Sequence, residues 1–269
     1  MNLLKRLRTA LLLLVPLFFV FQYGSMLLLF IVAQLFILAA LLEFFNLARK
    51  KRLHPHVPLG LAVALIISLS FYFRASFPFE LALFGALLLT AVFYVFTFQR
   101  VEQLPYFIPS ITVTFFGALY VSFPLNYIYL IRLEQGASFV YFLAGIIFLG
   151  DTGAYFFGKL MGRHKMTPLA SPNKTWEGSI GGIACAVLGA FAGQQFLLRE
   201  VDLWQALACG ALVHAAAQLS DPLESLFKRA VGVKDSSNFL PGHGGFLDRI
   251  DSLLLASPLF YYFVKYFWK

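Results

Sequence analysis

The sequence predicts an all-α, polytopic membrane fold, and three observations carry that prediction. The 269-residue chain is 60% hydrophobic and only 13% charged, with a mean hydropathy of +0.78. Apolar runs of about 20 residues, the length that crosses a bilayer as a helix, recur along it. Prolines and charges punctuate these runs, whereas an outer-membrane barrel would show alternating segments of about 10 residues. Nine spans result, at roughly 9–22, 26–48, 57–74, 78–98, 106–122, 137–158, 178–198, 203–220 and 250–267.

Span one, preceded by Lys5, Arg6 and Arg8, has no small-residue cleavage site after it and is expected to be retained. It meets span two through a tight Gln22–Ser25 connection, which suggests a helical hairpin. Pro55, Pro58, Pro78 and Pro105 separate spans two to five. Region 123–136, entered at Pro124, is open to a short extra half-span. From about residue 136 the chain turns richer in glycine. Gly178, Gly182 and Ala186 form a small-xxx-small row, as do Gly189 with Gly193 and Ala206 with Gly210, and such rows let helix backbones approach closely in lipid. The expected division is therefore a scaffold of spans over 1–135 and a catalytic region over 136–269.

The charges set an orientation. With the N-terminus in the cytoplasm and nine spans, 16 of the 21 Lys and Arg residues fall on the cytoplasmic side and 5 on the other. This places the C-terminus outside and puts both long polar segments, 159–177 and 221–249, in the cytoplasm. The net charge of +8 lies mostly beside apolar runs, so topology and anionic lipid account for it without nucleic acid. Cys185 and Cys209 both sit in apolar runs and read as small packing residues, with no disulfide framework or CxxC pattern.

Three polar constellations interrupt the apolar chain. Asp151 follows the run 144–150, and an acid at that depth faces a cavity or a partner. Ser171, Asn173, Lys174, Thr175 and Glu177 lie at the entry to span seven, where a hydroxyl can cap the helix and its N-terminus attracts phosphate. Asp221 and Glu224 are three apart, so on a helix they share a face, with Gln218 and His214 one and two turns earlier. His214 by itself reads as a packed polar residue.

The third stretch, 225–251, joins cations, glycines and carboxylates. Lys228, Arg229 and Lys234 can neutralise a triphosphate, and Gly242, Gly244 and Gly245 let backbone N–H groups approach an anion with no Cβ in the way. Asp248 and Asp251, three apart as span nine begins, can converge on one cation. Arg249 lies between them and can clamp phosphate or lock a carboxylate. His243 either binds phosphate or holds the loop's shape. No GxxxxGK[ST] occurs, so this is not a P-loop enzyme, and no GxSxG, HExxH or Cys/His zinc pattern appears either. Phosphoryl or nucleotidyl transfer remains, since that chemistry rests on neutralising and orienting phosphates.

The stretch Ser225-x-Phe227-Lys228-Arg229-x4-Lys234-Asp235-x-Ser237-x2-Leu240-Pro241-x-His243-Gly244-Gly245-Phe246-x-Asp248-Arg249-Ile250-Asp251 resembles the signature of the phosphatidate cytidylyltransferases, or CDP-diacylglycerol synthases. Asp151–Ala154–Tyr155–Gly158 and Ser171-Pro172-x-Lys174-Thr175-x-Glu177-Gly178 are similar to two further motifs of that family. The resemblance covers about 151–251, and Ser220-Asp221-Pro222 departs from the family's commoner Gly-Asp-Leu start. It implies that CTP and phosphatidate give CDP-diacylglycerol and pyrophosphate, with Mg²⁺ and room for a second cation. Asp221, Asp248 and Asp251 would form the metal centre, with Glu224 beside them. Lys174, Lys228, Arg229, Lys234 and the His243–Gly245 loop would hold phosphates.

The expected partners are CTP, phosphatidate and membrane lipid, in a bacterial cytoplasmic membrane with the site facing the cytoplasm; a homodimer is open. A CTP-dependent lipid kinase or another lipid-phosphate cytidylyltransferase is the near alternative, and an anion transporter is the alternative of another class.

Overall fold

A computed structural model describes residues 3–237 and 244–268, with the side chains of 3–11 and 13 left aside. The described residues form nine α-helices in chain order: α1 Leu3–Tyr23, α2 Met26–Lys50, α3 Val57–Tyr72, α4 Phe79–Thr97, α5 Leu104–Gln135, α6 Ala137–Met161, α7 Trp176–Leu197, α8 Leu203–Ala230 and α9 Leu247–Phe267. Five helical segments are long and apolar enough to cross a membrane: α2, α4, α5 with the turn before it, α6 and α7. The fold is thus an all-α membrane protein.

The structure departs from the sequence expectation in three places. Region 123–136 is no separate half-span, because α5 runs unbroken through Pro109 and Pro124 for 32 residues. Likewise α8 continues past Pro222 to Ala230, which puts Glu224, Ser225, Lys228 and Arg229 on a helix rather than in a loop. A proline removes one N–H and crowds the preceding turn, yet in membrane helices neighbouring groups re-satisfy the freed carbonyls. Finally, two short strands, β1 Lys165–Thr167 and β2 Ser171–Thr175, pair antiparallel between α6 and α7. Thr175 closes β2 and caps α7, its hydroxyl accepting from the Gly178 N–H at 3.2 Å.

The chain divides into two compact units: Met1–Tyr129 with Ala230–Arg249, and Leu130–Arg229 with Ile250–Lys269. In the first, aromatic side chains of α2 meet glycines on its neighbours. A Cβ at Gly60 of α3 would stand 2.3 Å from the Phe45 ring, and one at Gly117 of α5 would stand 2.6 Å from Phe44. Buried hydroxyls stitch the apolar helices together. Tyr94 Oη lies 2.8 Å from Ser110 Oγ, and Ser110 Oγ donates to the His54 carbonyl at 2.7 Å. Asn126 Nδ2 donates to Ser68 Oγ at 2.9 Å.

In the second unit the small-residue rows do what their spacing predicts. Gly178 and Gly182 bring α7 against Ala154 of α6, and Gly210 of α8 meets Ala186 and Ala190 of α7. A side chain at any of these would strike backbone or a packed neighbour within about 3 Å, which sets which glycines are structural. Gly85, in the interior of α4, has nothing within 4 Å of a Cβ. Gly85→Ala is therefore expected to raise stability by about 0.5–1 kcal/mol, since alanine loses less backbone entropy in a helix. A thermal unfolding midpoint in detergent checks this.

Candidate active site

The polar residues of the second unit gather on α6, α7, α8 and α9 and on the hairpin strand β2. Lys174, near the end of β2, places its ammonium 2.8 Å from Asp221 Oδ2. Asp221 Oδ1 also accepts from Ser225 Oγ, one turn on, at 3.3 Å. Asp151 on α6 interacts electrostatically with both Lys174 and Asp221, and its side chain hydrogen-bonds Ser252. Asp251 on α9 is likewise coupled to Asp221, Asp151 and Lys228. Three carboxylates and an ammonium thus share one electrostatic neighbourhood. The helix periodicity that put Asp221 and Glu224 on one face holds because α8 continues through Pro222.

Glu224 is fully buried and pairs with Lys228 one turn later, so that carboxylate and that ammonium serve each other. Arg229 donates its Nε to the Ala170 carbonyl at 3.4 Å, tying the end of α8 to the hairpin. Ser220 Oγ donates to the main-chain oxygen of Asp251, which fixes α9 beside α8 at the level of the acids. Behind them lies a buried relay: Gln218 Nε2 donates to the Ser179 carbonyl at 3.0 Å and approaches His214 Nε2 at 2.9 Å. Gly150 is obligatory at this point, because a Cβ there would lie 2.4 Å from the His214 ring.

Glu177 does a different job. Its carboxylate accepts from the main-chain N–H groups of Arg163 and His164 at 3.0 and 3.2 Å, and pairs with His164 Nδ1 at 2.6 Å. It thereby holds the turn before β1. Ser171 is half-buried on β2, and Asn173 is exposed.

The first unit contains the glycine segment. Asp248, in the first turn of α9, reaches back so that its Oδ2 accepts from Gly245 N at 2.8 Å and from Ser236 N and Oγ at 3.0 Å each. Gly244 adopts φ +80°, a left-handed conformation that favours glycine. Lys234 and Arg249 are exposed. His243 lies outside the described residues.

Glu43 of α2 is a residue that sequence reasoning missed. It is only 7% exposed. Its Oε1 accepts from Ser237 Oγ at 2.6 Å and Phe246 N at 3.0 Å, and its Oε2 from Ser236 Oγ at 2.8 Å and Leu247 N at 2.9 Å. The available signal was a lone carboxylate inside an otherwise apolar span, which by itself marks a functional position.

Among the described residues, no three His, Cys, Asp or Glu side chains are close enough to hold an ion by themselves. The donor chemistry nevertheless suits Mg²⁺, a hard cation usually held by one or two carboxylates with water and substrate phosphates completing its shell. Asp221 and Asp251, on α8 and α9, are carboxylates that influence one another electrostatically and are the candidates for that role.

The fold is that of a helical membrane protein whose second unit gathers carboxylates and a lysine into one neighbourhood. The sequence profile of the cytidylyltransferase family matches residues 4–267, and the chain belongs to that family. Among similar proteins, the phosphatidate cytidylyltransferase of Staphylococcus epidermidis (strain ATCC 35984) is 46% identical over 140 residues, covering 52% of this chain and 54% of the relative. Those of Staphylococcus saprophyticus and Staphylococcus aureus (strain COL) are 44% identical over the same coverage. The match thus spans about half the length of these relatives.

Proposed function

We propose that this chain transfers the cytidylyl group of CTP to phosphatidate, giving CDP-diacylglycerol and pyrophosphate. The observation that carries the reading is the Lys174–Asp221 pair with Asp151 and Asp251 in one electrostatic neighbourhood, in a chain matched over nearly its whole length by the cytidylyltransferase profile. A phosphatidate phosphate oxygen attacks the α-phosphorus of CTP, a new P–O bond forms, and the bond to the β-phosphate oxygen breaks to release pyrophosphate. Phosphatidate is already an anion, so no strong base is required. The protein's task is to bring two polyanions together, which fixed cations and backbone N–H groups accomplish.

Within that task Lys174 supplies positive charge beside Asp221. In the first unit Gly244 supplies half-exposed backbone, while Gly245 is buried against Ser236, Glu43 and Asp248. The exposed Lys234 and Arg249 are available to phosphate. Lys228 and Arg229 hold Glu224 and the Ala170 carbonyl, and so shape the wall of the site. Asp221 and Asp251 would hold Mg²⁺, which when bound neutralises phosphate charge and orients the leaving group. Glu224 and Asp248 have protein partners of their own and are weaker candidates for that role. Lys174 already places one cation on Asp221, and in this reading it serves where a second metal ion would stand.

The acyl chains stay in lipid and CTP arrives from the cytoplasm, with the nine-span, N-in arrangement of the charge count. Purified protein supplied with CTP, phosphatidate and Mg²⁺ tests the reading. Cytidine retained on the lipid supports it, whereas release of CDP indicates a kinase. Full activity in Asp251→Asn would remove the metal role.

A further inference from the structure

Glu43 lies on α2, in the half of the chain that sequence patterning assigned to scaffold, yet its carboxylate is spent on one segment. Its four hydrogen bonds go to Ser236 and Ser237 on one flank of the glycine segment and to Phe246 and Leu247 on the other. The flanks stand about ten residues apart in sequence, and each carboxylate oxygen bonds both. Buried Ala40, Leu41, Phe44, Phe45 and Leu47 surround Glu43 on its helix and fix its backbone. The fit leaves no slack: a Cβ on Gly245 would stand 2.3 Å from Glu43 Oε2 and 1.9 Å from Ser236 Oγ. Ser236 Oγ in turn approaches Asp248 Oδ2 at 3.0 Å, so the clamp reaches the first turn of α9.

We infer that Glu43 is a positioning residue, whose carboxylate clamps both flanks of the glycine segment and thereby sets where the Gly244 and Gly245 backbone stands. The inference rests on the reading that this segment meets the phosphates of CTP. A carboxylate is required because two backbone N–H groups need acceptors on different oxygens. A glutamine of the same shape offers one acceptor oxygen and turns an N–H₂ toward the other pair. A serine hydroxyl can reverse its bond, but a backbone N–H cannot.

The test is Glu43→Gln in the full-length protein, with Glu43→Asp as the conservative variant and exposed Glu80→Gln as the control. Loss of a charged acceptor for buried N–H groups predicts a KM for CTP raised about ten- to a hundredfold. The KM for phosphatidate should change less than about twofold. Glu43→Asp, one methylene short, should fall between, and Glu80→Gln should match the parent. Amide hydrogen exchange in the peptide covering 244–247 should quicken in Glu43→Gln. If that variant does not yield folded protein, Ser237→Ala removes a single donor and should shift the CTP KM the same way by less.

An unchanged CTP KM in both variants, or equal rises in both KM values, overturns the proposal. So does unchanged exchange at 244–247. If the parent protein shows no turnover of CTP, the cytidylyl reading fails by itself, and the exchange measurement still decides whether the clamp exists.

Discussion

Asp221→Asn is expected to lower kcat by about a hundred- to a thousandfold, the scale seen when one preorganised group that stabilises the transition state is removed. Asp221 is where the charges of the second unit meet. It pairs with Lys174 at 2.8 Å, accepts from Ser225, and is coupled to both Asp151 and Asp251. An asparagine keeps the shape and deletes the charge. Lys174 then loses its anchor, and in the proposed reading Asp251 loses its partner for Mg²⁺. Because these groups act as one unit, Lys174→Met combined with Asp221→Asn should cost little more than the worse single variant. Steady-state kinetics at several Mg²⁺ concentrations measure both effects. Near-parental kcat in Asp221→Asn, or strict additivity in the pair, would sink this assignment.

Gly245→Ala carries the second large effect. The added methyl would sit 1.9 Å from Ser236 Oγ and 2.3 Å from Glu43 Oε2, so the backbone has to move. Overpacking of this kind costs about 1–3 kcal/mol, and the displacement falls on the backbone that Glu43 and Asp248 hold through the Gly245, Phe246 and Leu247 amides. The expected outcome is a lower unfolding midpoint with most of the activity lost. Gly85→Ala, with open space around it, is the matched comparison.

The fold was legible wherever physics acts over short sequence distances. Apolar length located the helices closely: a span expected at 26–48 is observed as Met26–Lys50, and one at 203–220 begins at Leu203. The departures have separate causes. Pro124 and Pro222 read as breaks, yet both lie inside continuous helices, and only Pro124 sits in an apolar membrane-length helix where neighbouring groups re-satisfy the freed carbonyls. The β1–β2 hairpin was hidden because a three-residue strand leaves no periodic trace.

In the site, Lys174, Asp221 and Asp251 stood out as charges in an apolar chain, and the structure brings them into one neighbourhood. Glu177 stood out equally, yet it holds a turn. Glu43 carried the signal of a lone carboxylate in an apolar span, but its partners lie about 200 residues away in sequence, and no local pattern pairs an acid with so distant a segment.

The unbroken α5 has a consequence for the lipid around it. At 1.5 Å per residue its 32 residues extend about 48 Å, against a hydrocarbon core of about 30 Å. Hiding that length within the core would require a tilt of about 50°, beyond the range of about 0–40° that membrane helices adopt. At an ordinary tilt of about 20° the helix rises about 45 Å, matching the full thickness from one headgroup layer to the other. The Arg132–Gln135 end then belongs among headgroups rather than acyl chains.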